Sequence, residues 1–155
     1  MAVVELLLAP LPSHVRTARL VVVAAARRAG LEDGLLDELR LAIGEAASRA
    51  VGLHARHAPG TPVSVVVTDG ARGLSVEVTD QGPAAGPAVD DVTEELLDSG
   101  SDQDDVDPDV ALAVVTGLVD DVEVEHGPGG TVVTMRWPLP ARSERPGATT
   151  AASEA

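Results

Sequence analysis

The chain has 155 residues, 45% of them hydrophobic, which is enough for one domain with a sizeable core. Aromatic content is only 1%, with Trp137 the sole aromatic, so the core must be built from Val, Leu and Ala. There is no Cys, which excludes disulfides and thiol chemistry and suits a reducing cytoplasm, and the net charge of −14 disfavours nucleic acid and anionic membranes while favouring basic partners.

The elements are taken in chain order. Val3 to Leu8 is a short apolar run ending at Ala9-Pro10 and predicts a first strand. Met1 to Pro10 lacks a basic start and a cleavage signature, so no secretion signal is expected. No apolar run reaches the ~20 residues of a membrane span. Ser13 is placed to cap a helix from about His14 to Ala29, which Gly30 stops. That helix carries Arg16, Arg19, Arg27 and Arg28 around an apolar face of Val15, Ala18, Val22 and Ala25.

A long amphipathic helix follows, with Asp33 as the expected cap. Leu36, Leu39, Ile43, Ala46, Ala50 and Leu53 recur at helical spacing and predict a core-facing stripe. Beside it runs a second row, Leu41, Glu45 and Arg49. The helix ends near the turn His57-Ala58-Pro59-Gly60. Two alternating runs, Val63 to Thr68 and Leu74 to Thr79, predict a hairpin joined around Asp69-Gly70. The second strand ends in Asp80-Gln81-Gly82-Pro83.

Periodicity is lost from Pro83 to Pro108. Ten acidic residues and no basic ones fall between Asp90 and Asp109, which predicts a self-repelling acidic lid over 83–109 with a short helix near Thr93 to Leu97. Val110 to Val119 predicts a buried helix. Asp121 to Glu125 and Thr131 to Trp137 predict a final hairpin across Gly127-Pro128-Gly129-Gly130. The residues after Pro140 predict a disordered tail over 141–155, leaving 1–140 as one domain. The order β-α-α-β-β-loop-α-β-β predicts an α+β fold: a two-layer α/β sandwich, with a mixed, mostly antiparallel sheet and helices on one face.

Three stretches carry a family resemblance: Arg40-Leu41-Ala42-Ile43-Gly44-Glu45-Ala46, Asp80-Gln81-Gly82, and Gly117-Leu118-Val119-Asp120-Asp121-Val122-Glu123-Val124 leading into Gly129-Gly130-Thr131-Val132-Val133. In this order the chain resembles the anti-sigma-factor serine kinases, small members of the histidine-kinase-like (GHKL) ATPase fold. The resemblance covers about Val3 to Leu139. It implies a general-base Glu at Glu45 and an Asn that ligates Mg²⁺ four residues later, where this chain has Arg49. It implies that Asp80 hydrogen-bonds the adenine amino group, that Gly82 lets backbone approach the base, and that Thr131 lies near the adenine. The glycines that close over the phosphates align with Asp109 and Ala111. The resemblance also implies a sigma factor and an anti-anti-sigma protein as partners, with Arg19 as a contact on the first helix and Arg16 one turn earlier as a second candidate.

The departures have physical consequences. Mg²⁺ needs oxygen ligands, and a guanidinium has donors only, so Arg49 cannot ligate it. The expected partner of Arg49 is Glu45, four residues earlier on the same helix face. Asp109 sets a carboxylate where phosphate loops present backbone N–H groups. Two unit charges ~4 Å apart at an effective dielectric near 20 repel by about 4 kcal/mol. That corresponds to nearly three decades of affinity.

The expectation is a cytoplasmic anti-sigma factor that sequesters an alternative sigma factor and is released by partner switching. It would have vestigial Glu45, Asp80, Gly82 and Thr131, no catalytic residue, no ATP, no Mg²⁺ or other metal, no nucleic acid and no membrane. The alternatives are an active ATP- and Mg²⁺-dependent serine kinase of an anti-anti-sigma factor, or a regulatory module of the same fold with another signalling partner. An exposed edge at Val3 to Leu8 offers a surface for homodimerisation. His54 and His57, three apart near a helix end, are read as polar surface rather than metal ligands. Neither a Ser-His-Asp arrangement nor a P-loop motif is readable.

Overall fold

The computed structural model describes residues 2–83 and 108–141; 84–107 of the expected acidic lid, with its expected short helix, and 142–155 of the expected tail lie outside the described residues. Five strands and three helices follow in the order β1 (Ala2–Leu8), α1 (Pro12–Ala29), α2 (Asp33–His57), β2 (Val63–Gly70), β3 (Gly73–Asp80), α3 (Pro108–Leu118), β4 (Asp121–Gly127) and β5 (Gly130–Trp137). The sheet order is β1-β2-β3-β5-β4, and each ladder among the described residues is antiparallel.

Alternation along the strands sends one row of side chains inward. Val65, Val78 and Val133 lie in register across the three central strands, as do Val67, Val76 and Met135. All six are buried beneath the helices. β-branched residues suit this pleated, half-buried surface. The opposite face is polar. On it Arg136 bridges β5 to β4 by donating to Asp121 and Glu123, and the Glu123 and Asp121 carboxylates raise its pKa above the ordinary guanidinium value.

The whole predicted stripe of α2 is buried: Leu36, Leu39, Ile43, Ala46, Ala50 and Leu53. α2 lies over β2 and β3, with α1 and α3 packed against it. α1 buries Val15, Ala18, Val22, Val23, Ala26 and Ala29, with Ala25 only half-buried. At its C-terminus Gly30 adopts φ 89°, and its N–H closes the last turn on the Ala26 and Arg27 carbonyls.

Several local expectations are corrected. Ser13 does not cap α1: the helix begins at Pro12, whose fixed φ and missing N–H suit the first helical position, and Leu11 is the cap residue. Asp33 is the first residue of α2 rather than its cap. The β2–β3 turn is Ala71-Arg72, because the ladder continues through Gly70 opposite Gly73. α3 is amphipathic rather than buried, since Ala111 and Val115 face inward while Val110 and Val114 are exposed. β1 is an edge strand with Val3, Val4 and Leu7 exposed. No helix among the described residues is long and apolar enough to cross a membrane.

Candidate functional site

The site forms where the C-terminal half of α2 crosses the end of β3. Asp80 is the last residue of β3 and pairs with Thr131 near the start of β5. Alternation puts both on the core face, so both side chains point under α2 rather than into solvent. Asp80 is 1% exposed and Thr131 is fully buried. A carboxylate at that depth requires a partner.

Arg49 supplies it. Its Nη1 donates to Asp80 Oδ2 at 2.6 Å, and the arginine is 4% exposed. The expected Glu45–Arg49 pair is therefore overturned. The helix rotates Arg49 towards the sheet, leaving Glu45 half-buried at the helix flank. A buried carboxylate 31 residues away takes the guanidinium from a half-exposed one nearby, because burial makes the unpaired state far more costly. Arg49 Nε is buried without a hydrogen-bond partner among the described residues.

Two further contacts tie the same helix to the residues after Asp80. Gly82 donates its N–H to Asp80 Oδ1 at 3.0 Å, and a Cβ at residue 82 would lie 2.9 Å from Leu53 Cβ. Glycine here thus serves close packing between helix and loop. His54, fully buried, accepts the Gln81 N–H at Nε2 (2.8 Å) and donates from Nδ1 to the Thr61 carbonyl (2.7 Å). These bonds fix the Nδ1–H tautomer and use both ring nitrogens. His54 is a clamp between the α2–β2 connection and the β3 end, not the polar surface residue expected, and no group of three or more potential metal ligands clusters among the described residues. From the other strand, His126 Nδ1 lies 3.0 Å from the Thr131 hydroxyl. Gly130, at φ +132°, is pressed against the Asp80 carbonyl where any Cβ would collide.

Asp109 sits in the first turn of α3 and is exposed; Ala111 is buried against the core. A carboxylate in a first helical turn complements the positive end of the helix itself.

Arg16 and Arg19 lie on the far side of α2. Arg16, Arg19, Leu20, Val23, Ala24 and Arg27 of α1, with Arg40 of α2, line a groove of about 340 Å³. Arg19 extends across Gly44, its Cδ 3.4 Å from where a Cβ at residue 44 would stand, and its Nε is buried without a hydrogen-bond partner among the described residues. Leu20 is 63% exposed beside it. Arg27 and Arg40 were not among the partner contacts expected from the sequence. The α1 spacing of 16, 20, 23 and 27 marks one helix face, but the approach of Arg40 depends on the α1–α2 crossing.

A family model for the histidine kinase-like ATPase domain matches residues 8–137. The chain belongs to that family. Among solved structures, the histidine kinase-like domain is similar to the crystal structure of the RsbU and RsbW domains of Rv1364c from Mycobacterium tuberculosis. The TM-score is 0.63 at 19% identity, covering 90% of this chain and 33% of that one. That similarity is one of fold, and the chain spans about a third of the length of the structure it matches. No curated protein matches.

A histidine kinase-like ATPase domain implies ATP and Mg²⁺, and the residues of this one do not fit them. Arg49 offers no lone pair to a cation, and its charge opposes one. The Asp80 carboxylate is engaged on both oxygens, by Arg49 and by Gly82. Asp109 adds a negative charge in the first turn of α3, which disfavours an anion there.

Proposed function

We propose that this histidine kinase-like domain is an anti-sigma factor that works by protein binding alone. It sequesters an alternative sigma factor and releases it when an anti-anti-sigma protein takes its place, without ATP binding or kinase activity. The observation that carries this reading is the groove of Arg16, Arg19, Arg27 and Arg40 around exposed Leu20.

The chain carries net charge −14 and only 11 basic residues, yet four of them converge on this one groove. A basic patch on an acidic protein is suited to a partner that presents carboxylates around an apolar residue. Arg19 lies across Gly44 and lines the groove, where its guanidinium offers donors to a partner carboxylate. Two competing partners that present the same chemistry would exclude one another at such a groove, and that is the requirement of partner switching. The similarity in fold to a structure containing an RsbW domain agrees with this reading.

The test is capture of a purified alternative sigma factor by the wild type and by Arg19→Glu, with and without Mg-ATP. The expected result is capture by the wild type in either condition and at least a tenfold loss in Arg19→Glu. Unchanged capture by Arg19→Glu would remove the groove from the interface. Transfer of labelled phosphate to a serine of an anti-anti-sigma protein would make the chain an active kinase instead.

A further inference from the structure

We propose that the free edge of β1 is a docking site for an extended segment of another protein, which adds a strand to the sheet and sets a basic side chain opposite Glu5 between two apolar ones. The proposal stands apart from the Arg19 groove, and its test involves no sigma factor.

The sheet has two edges, and they differ. β4 carries Asp121, Glu123 and Glu125 along its length, charges of the kind that keep an edge strand from taking on another strand. β1 reads Ala2-Val3-Val4-Glu5-Leu6-Leu7-Leu8, with a single charge. Val3 and Leu7 are each more than half exposed.

The ladders fix which backbone groups of β1 are free. The two-residue turn at Ala71-Arg72 makes Gly70 and Gly73 a hydrogen-bonded pair, and such pairs alternate along an antiparallel ladder. β2 therefore turns the N–H and C=O groups of Ser64, Val66 and Thr68 to β3, and those of Val63, Val65, Val67 and Asp69 to β1. The residues that receive the second set are Leu8, Leu6, Val4 and Ala2. The N–H and C=O groups of Val3, Glu5 and Leu7 then point out from the edge, where no strand among the described residues receives them. The side chains of these three residues lie on the sheet face away from the helices, because Leu6 and Leu8 pair with the buried Val65 and Val63.

The chemistry of the occupant follows from this triplet. Side chains directly opposite one another in an antiparallel pair are in contact. Val3 and Leu7 suit apolar partners, and Glu5 suits a basic one. Glu77 lies in the same cross-strand row as Glu5, separated from it by Val66, and the net charge of −14 adds to the attraction. A second copy of the chain is the poorer occupant. Pairing β1 with itself over its full length about a two-fold axis places the two Glu5 side chains opposite each other, which is destabilising. Sliding the register by two residues to separate them shortens the ladder and sets each carboxylate against a Val3 or a Leu7.

The test uses the full-length chain and a disulfide-closed hairpin peptide whose outer strand presents Val, Arg and Val at the positions with outward N–H groups. Closing the hairpin lowers the ordering cost of binding. The same hairpin with Glu in place of Arg is the comparison. Affinity by calorimetry and amide exchange by NMR are measured for the wild type and for Glu5→Lys. The wild type is expected to bind the Arg hairpin about fivefold more tightly than the Glu hairpin, and Glu5→Lys to reverse that preference. Bound Arg hairpin should slow exchange at the Val3, Glu5 and Leu7 amides and leave the Val4 and Leu6 amides unchanged. An Arg hairpin that does not slow those three amides overturns the proposal. So do equal affinities for the two hairpins, or a Glu5→Lys chain that keeps the wild-type preference. Protection of the same amides without peptide, rising with protein concentration alongside a dimer in sedimentation, gives the edge to a second copy and also overturns it.

Discussion

Arg49 and Asp80 form an ion pair at 2.6 Å in which both side chains are nearly inaccessible to solvent. It links the C-terminal half of α2 to the end of β3, a central strand of the sheet. Removing one member of a buried pair leaves the other charged, buried and alone, which typically costs about 3–5 kcal/mol. Arg49→Ala should therefore lower the unfolding free energy in urea by about 3–5 kcal/mol. Arg49→Ala/Asp80→Asn should recover about half of that loss, because the stranded charge is gone. Additive single and double effects would mean that the two residues do not interact.

His54→Ala should cost about 2–4 kcal/mol, since it strands the Gln81 N–H and the Thr61 carbonyl and leaves a void. The local signature is faster hydrogen exchange at the Gln81 amide, with exchange in β2 following only the global change. A Gln81 amide that exchanges as in the wild type would argue against the clamp.

The two glycines beside Asp80 should rank in a definite order. Gly82→Ala brings a Cβ to 2.9 Å from Leu53 Cβ and should cost about 1–3 kcal/mol, the range for overpacking. Gly130→Ala meets the Asp80 backbone and also forces an L-residue to φ +132°, so it should be the more damaging in thermal melts. The reverse order would contradict the packing described.

Gly44→Leu should displace Arg19, whose Cδ and Nε lie 3.4 and 3.5 Å from the Gly44 Cβ position, whereas Gly44→Ala meets only ordinary contact. Sigma capture should then weaken severalfold in Gly44→Leu and stay near wild type in Gly44→Ala, with both proteins folded by circular dichroism. Capture should also weaken as salt rises, because the groove residues are partly exposed charges.

Much of the fold was legible because its signals are local and periodic. The alternation of Val63, Val65 and Val67 gives the inward face of β2, and the 36-39-43-46-50-53 stripe gives the buried face of α2. What escaped involves choices between partners or between neighbouring residues. Ser13 is a good cap by type, but Pro12 fits the first helical position better and moves the start forward. Glu45 is the visible neighbour of Arg49 at four residues, yet a buried carboxylate 31 residues away outcompetes it, and depth of burial is not written in local spacing. His54 reads as polar, and its burial becomes tolerable only once Thr61 and Gln81 approach both ring nitrogens. One sequence signal did point there: Arg49 and Leu53, four apart, share the helix face that meets Asp80 to Gly82.

The proposed function requires that the chain work without nucleotide, and calorimetric titration of Mg-ATP into the wild-type chain tests this most directly. The expected trace shows no saturable heat up to about 1 mM, where a free energy of roughly −4 kcal/mol would begin to register. Micromolar saturable binding would contradict it.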